Sequence, residues 1–364
     1  PAPGETVLVF EQADLLMTQE RFDEAIRLLE GYLIDKPRSQ YGWAKLGQAL
    51  RRLRRYDAAI RACDRALELD PGYAWAWNVR GLALMALDEP AEALAAFVQA
   101  CALDKNSVWH WYNQSDALAA LNRHAEAASA LRQGLALAPG HAESWAKLGQ
   151  ALRCLDHPVD ALIAYDRALS VRAGYAWAWH GRGLALQSLG RREEALVSFE
   201  RARQEDAGVV WYYHSQVDLL LDMGRKASAL QVAEAAAQAL PQSAPAWARL
   251  GQVQRRLSRF DAAVESYERA VELDPRYGWA WNGLGLAHSA LNHTDQSAEA
   301  FAEAVRFNPD DVWFWRNYGD ALILLDACER ALLAFERALA LEPGHIPTLK
   351  KLALARDCAG VYED

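Results

Sequence analysis

The stretch GYAWAWNVRGLAL, Gly72–Leu84, decides how this chain is read. It returns as GYAWAWHGRGLAL at Gly174–Leu186 and as RYGWAWNGLGLAH at Arg276–His288, each time 102 residues on. Its neighbours return at the same interval. WAKLGQALRRL starts at Trp43, WAKLGQALRCL at Trp145 and WARLGQVQRRL at Trp247. VWHWYNQSDAL starts at Val108, VWYYHSQVDLL at Val210 and VWFWRNYGDAL at Val312. The sequence is a triplicated module. A chain of 364 residues would ordinarily suggest two or three globular domains. A fixed internal period points instead to stacked repeats that share one elongated core.

Each module divides into three repeats of 34 residues. With Trp43 as position 4, that position also holds Trp77, Trp111, Trp145, Trp179, Tyr213, Trp247, Trp281 and Trp315. Position 8 is small in most copies, as at Gly47, Gly149 and Gly251. Position 20 is Ala in all copies but Ser297, and position 27 is Ala in all but Gly134. Position 32 is proline at Pro71, Pro139, Pro241, Pro275, Pro309 and Pro343. Apolar residues recur at helical spacing in two runs, with Leu46, Gly47 and Leu50 in the first and Ala59, Ile60, Cys63 and Ala66 in the second. Small residues at positions 8 and 20 let the two helices approach closely. Proline at position 32 stops the second, having no N–H and barring the residue before it from helix.

This signature resembles the tetratricopeptide repeat family, over nearly the whole chain. The resemblance implies an all-α fold, a right-handed superhelical solenoid of antiparallel helix pairs. Residues 6–39 read as a degenerate first repeat, 40–141, 142–243 and 244–345 as the three modules, and 346–364 as a capping helix and tail. That makes ten repeats and a cap within a single solenoid, residues 1–364.

Composition excludes several other functions. The formal net charge is −9, so the chain as a whole should not seek nucleic acid. No apolar run reaches the ~20 residues of a membrane span. The opening PAPGETVLVF lacks the basic start and apolar stretch of a secretory leader, and the start on Pro1 fits an excised or processed chain. Five scattered cysteines, Cys63, Cys101, Cys154, Cys328 and Cys358, form no C-x-x-C pair. They read as unbonded thiols of a cytoplasmic protein, with no metal site. Phosphate-binding glycine loops and H-E-x-x-H are absent, so neither an enzyme nor a cofactor is expected.

In the family, the first helix of each repeat lines the concave surface. The resemblance implies that positions 2, 5, 9 and 12 face this groove while position 4 packs inside. All 14 tryptophans fall at position 2 or position 4. The groove set is Trp75, Asn78, Trp109, Tyr112, Asp116, Gln150, Arg153, Trp177, His180, Trp211, His214, Asp218, Gln252, Arg255, Trp279, Asn282, Trp313, Arg316 and Asp320. Exposed aromatics bury much area with few rotors to freeze, so they suit a protein partner, either an extended peptide or a helix. The competing reading is that the position-2 tryptophans only pack between repeats. Asp14, Asp116 and Asp218 are expected to pair with Arg51, Arg153 and Arg255 of the following repeat. The chaperone-tail subtype of the family uses Lys at position 5 and Asn at position 9; here those positions carry Ala44, Ala146 and Ala248, and Gln48, Gln150 and Gln252. The alternatives are the sensor or scaffold region of a larger bacterial ATPase, kinase or protease, and a self-assembling structural solenoid. A monomer or weak self-association is expected.

Overall fold

The computed structural model describes residues 3–360, with side chains from Val7 onward. Pro1, Ala2 and the end of the tail, 361–364, lie outside the described residues. Among the described residues there are 21 α-helices and no strand. The fold is an all-α solenoid of antiparallel helix pairs. By its contacts the chain falls into two compact bodies, 1–191 and 192–364.

The helices keep the 34-residue register. A first helix such as Gln40–Arg52 or Ala244–Arg256 covers positions 1–13. A second, such as Tyr56–Leu69 or Phe260–Leu273, covers positions 17–30. The first helix ends because position 15 turns left-handed. Arg54, Asp88, Asn122, Asp156 and Ser258 all have φ between 57° and 62°, and Gly190 and Gly224 have φ of 73°. The following N–H then reaches back to the carbonyl of position 11, as in Arg55 to Leu50 at 2.9 Å and Arg225 to Leu220 at 2.8 Å. This bond satisfies carbonyls that the helix end would otherwise leave unpaired.

The second helix ends in an extended residue at position 31. Asp70, before Pro71, has φ −145° and ψ 95°; Asp104, before Lys105, has φ −133° and ψ 93°. Proline is therefore sufficient but not required. Asp70 and Asp104 also accept an N–H two residues on through Oδ1, at 2.9 and 3.0 Å, which holds the turn.

Position 20 lies inside each pair: Ala59, Ala161 and Ala263 are fully buried. Position 8 accommodates the side chain at position 24. A Cβ added at Gly81 would lie 2.5 Å from the Phe97 ring, and one at Gly149 would lie 2.9 Å from Tyr165. Tyr165 reaches further, into the next repeat, where a Cβ on Gly181 would meet its ring at 2.3 Å. Tyr267 sits in the same way between Gly251 and Gly283. In the first module these places hold Cys63 and Val79, both buried. Ring volume lost at position 24 reappears at position 6 of the next repeat, as close packing requires.

The position-4 tryptophans are half-buried rather than fully enclosed. Each indole N–H donates to the carbonyl six residues earlier: Trp43 to Pro37 at 2.9 Å, Trp77 to Pro71 at 3.0 Å, Trp179 to Ala173 at 2.8 Å, Trp315 to Pro309 at 2.7 Å. Trp111, Trp145, Trp247 and Trp281 do the same. The ring packs inward, and its polar edge fastens the helix start to the turn before it.

Candidate functional site

Within each body, consecutive first helices touch one another directly, as Gln40–Arg52 touches Ala74–Ala86 and Ala244–Arg256 touches Gly278–Ala290. Positions 2, 5, 6 and 9 meet along that seam.

Position 2 divides. Trp109, Trp211, Trp279 and Trp313 are 56%, 63%, 59% and 67% exposed. Trp75 and Trp177 are half-buried. Trp75 lies 5.6 Å from the Tyr41 ring, and Trp177 lies 6.0 Å from Tyr175 at the edge of an Ala/Leu core. The position-2 tryptophans therefore divide, four standing largely exposed and two packing against neighbouring rings.

Position 5 lies inside the seam. Asn78 and Asn282 accept hydrogen bonds at 2.8 Å from the side-chain amides of Asn113 and Asn317 on the next first helix. Arg316 is 7% exposed, bonds to Glu342 and lies 5.3 Å from the Trp313 ring. His180 and His214 are held neutral, their pKa lowered to about 4. Burial is the main cause in both; the Arg153 guanidinium adds to it at His180, and Arg249 at His214.

The carboxylates at position 9 correct the expected ladder. Asp218 bonds to Arg249 at 2.6 Å and Asp14 to Lys45 at 2.6 Å. Asp116 pairs with Lys147, and Asp320 with Lys351. The partner is the base at position 6 of the next repeat, 31 residues on, and not Arg51, Arg153 or Arg255. Position 12 lies six residues further along the helix, ~9 Å at the usual rise, and so misses the carboxylate. A constant 31-residue spacing from Asp to a base was the signal available in the sequence.

The position-12 arginines turn elsewhere. Arg153 and Arg255 lean on the hydroxyls of Tyr165 and Tyr267. In all three, Arg51, Arg153 and Arg255, the Nε is buried with no hydrogen-bond partner. Burial lowers the Arg51 pKa. Gln150 is exposed, whereas Gln252 accepts from Arg249 at 2.8 Å.

A cavity of about 530 Å³ opens on this face, in the body 192–364. Its walls include Trp211, His214, Arg255, Tyr267, Tyr277 and Trp279. Tyr267 and Tyr277 lie outside the groove set read from the sequence. They belong to position 24 and to the last residue of a repeat, which the family pattern assigns to packing.

The thiol expectation is also corrected. Cys328 and Cys358 form a disulfide, Cα atoms 5.6 Å apart, joining the start of the helix Cys328–Leu341 to the end of the helix Ile346–Cys358. Thirty residues separate them in sequence, a spacing that announces nothing by itself. Asp326 stands beside both sulfurs, so three ligand-type groups lie within 4.8 Å. With the sulfurs bonded to each other, that set is not free to hold an ion. Cys63, Cys101 and Cys154 are unbonded. Burial pushes the Cys63 and Cys101 thiols up to about 12, which makes them inert. Among the described residues no helix is long and apolar enough to cross a membrane.

Family models described as "Tetratricopeptide repeat" match residues 10–74, 44–108, 78–142, 112–176 and 282–346, and residues 244–277. No curated protein matches the sequence. Among solved structures, a tetratricopeptide repeat protein from Parabacteroides merdae is 17% identical, with 68% of this chain and 98% of that chain covered and a TM-score of 0.53. MamA is 26% identical over 44% of this chain and 95% of its own, with a TM-score of 0.42. A chain of the APC/C hetero-tetramer Cut9–Hcn1 is 13% identical over 95% of this chain and 83% of its own, with a TM-score of 0.49.

Proposed function

Because the chain belongs to the tetratricopeptide repeat family, we propose that it is an interaction scaffold, not an enzyme, and holds an extended peptide or a helix of a protein partner. The partner lies along the concave side, on the first helices. We read the array as ten repeats, grouped in modules 40–141, 142–243 and 244–345, with 346–364 as cap and tail. The observation that carries this reading is the four tryptophans at one repeat position, each more than half exposed on a well-formed helix. Single exposed apolar residues need no explanation, but one anchor type recurring at one position on one face does. The Asp–base pairs and Asn–Asn bonds of the seam fix the first helices beneath those anchors.

The test is a selection of random peptides displayed on phage against the whole chain. Selected peptides should bind the Trp211→Ala/Trp279→Ala variant on the order of thirtyfold more weakly, the loss typical of an aromatic anchor. Ile163, 55% exposed on a second helix, supplies the control, and Ile163→Ala should bind as the parent does. Failure to select any peptide, or equal binding by the tryptophan variant, refutes the reading.

A further inference from the structure

The corner where the last two helices meet joins three groups that occur together nowhere else in the array. Cys328 opens the helix Cys328–Leu341 and is buried. Cys358 closes the helix Ile346–Cys358 and is exposed, and Asp326 stands in the turn before Cys328. In the 34-residue register these are positions 15 and 17 of one repeat and position 13 of the next. The same three positions hold Asp88, Pro90 and Ala120 in one earlier repeat, and Asp156, Pro158 and Ser188 in another. Aspartate is therefore a turn residue that several repeats share, and the two sulfurs single out this corner.

The carboxylate does little for a disulfide. Asp326 Oδ1 lies 3.5 Å from Cys328 Sγ and 3.6 Å from Cys358 Sγ, yet a bonded sulfur has no proton to donate to it. The two distances fit another occupant. A tetrahedral zinc ion, with Zn–S about 2.3 Å and Zn–O about 2.1 Å, sets sulfur and oxygen ligands roughly 3.6 Å apart and two sulfurs roughly 3.8 Å apart. The three ligand atoms all lie within 4.8 Å of one another. With the Cα atoms 5.6 Å apart, side-chain rotation gives that sulfur spacing once the S–S bond is open. The donor set selects the metal: thiolates favour zinc over magnesium or calcium, and a carboxylate is a poor ligand for copper(I). The corner opens to solvent beside Asp326 and Cys358, which leaves the fourth position to water.

We propose that Asp326, Cys328 and Cys358 form a zinc site in the reduced chain and a disulfide in the oxidised one, so that the last helix is fastened in both states. Loading the site releases the two thiol protons to solvent. Oxidation by a low-molecular-weight disulfide reverses it through two successive thiol–disulfide exchanges. The S–S bond of the reagent breaks and one forms between Cys328 and Cys358. Two electrons pass from the protein sulfurs to the reagent, which leaves as two thiolates, and the zinc ion is released.

The whole chain is reduced with a phosphine, dialysed free of metal and titrated with Co²⁺, which reports thiolate ligands by a near-ultraviolet charge-transfer band. One equivalent should bind with that band, and Zn²⁺ should erase it. Chain oxidised beforehand with glutathione disulfide should show no band. Cys328→Ser should lose it, and Cys154→Ser, which alters the exposed unbonded thiol, should keep it. Should Cys328→Ser unfold, Cys358→Ser makes the same test at an exposed position. Asp326→Asn keeps both thiols and a residue that takes the same left-handed turn at Asn122 and Asn292, with φ of 57° and 61°. It should bind Co²⁺ about tenfold or more weakly. Amide exchange at Leu352 and Ala355, fast in the reduced metal-free chain, should slow again when Zn²⁺ is added. The inference is overturned by a reduced parent without the band, or by an undiminished band in the cysteine variant or the oxidised chain. Parent-like affinity in Asp326→Asn, or exchange that Zn²⁺ leaves unchanged, overturns it as well.

Discussion

Tyr165 and Gly181 should be energetically inseparable although they belong to different repeats. Tyr165 is 2% exposed, and a Cβ on Gly181 would stand 2.3 Å from its ring carbons and 2.6 Å from its hydroxyl. Gly181→Val alone overpacks a ring that cannot move aside, at ~1–3 kcal/mol or more, offset by under ~1 kcal/mol of helix propensity. Tyr165→Cys alone leaves a ring-sized void and should cost ~3–5 kcal/mol. The double variant rebuilds the arrangement of Cys63 and Val79, which are 0% and 2% exposed. It should lie within ~1–2 kcal/mol of the parent, a coupling of at least ~2–3 kcal/mol. The assay is urea unfolding of the parent, both single variants and the double variant, followed by circular dichroism. A double variant as unstable as the sum of the singles would show that ring and glycine do not share one space, and the volume-compensation account would fail.

Trp179→Ala should cost about 2–4 kcal/mol, for half-buried ring area and a lost indole bond, whereas Trp313→Ala should cost under ~1 kcal/mol; thermal melts that rank them the other way would sink the packing assignment. His180 and His214 are neutral in the fold, with pKa values lowered to about 4, while the unfolded chain takes up protons below about 6.5. Stability from this source is therefore complete above about pH 6.5 and falls as pH drops toward 4, by on the order of 1–2 kcal/mol per histidine at pH 5. Urea midpoints at pH 7 and 5 measure it, and His180→Asn, the residue found at Asn78 and Asn282, should flatten the difference. Closing a loop of 30 residues, the Cys328–Cys358 bond should contribute ~3–4 kcal/mol to docking of the last helix. Dithiothreitol should thus speed amide exchange at the buried Leu352 and Ala355, and unchanged exchange would contradict this.

The helix pairs were legible because their constraints are local and repeated. Alanine at position 20 and glycine at position 8 report a close approach in copy after copy, and tryptophan falls only at positions 2 and 4. The left-handed turn at position 15 left a partial trace: seven of the nine intact repeats carry Gly, Asn or Asp there, the types that tolerate positive φ, while Arg54 and Ser258 adopt the same φ under tertiary constraint. The charge pairs were half legible. Asp14, Asp116 and Asp218 do lie on the seam, but pairing them with the position-12 arginines set the base three residues past position 9 along the helix, whereas the bases that reach them stand three residues before it, at position 6. The cavity was the hardest to foresee. It arises from what His214 and Ser243 lack relative to Tyr112 and His141, whose rings pack edge to face 102 residues earlier, and no motif encodes a deficit.

The indole fastenings give the protein an optical map of itself. Eight tryptophans hold their N–H on a carbonyl six residues back, one at each repeat start from Trp43 to Trp315 except where Tyr213 takes the place. Four others, Trp109, Trp211, Trp279 and Trp313, stand largely in solvent. Emission therefore divides into a shielded population that follows the integrity of individual repeat junctions and a quenchable one that follows what covers the face. Loosening near Tyr213 would pass almost unseen in the first population, while an occupant between Trp211 and Trp279 would be seen only in the second.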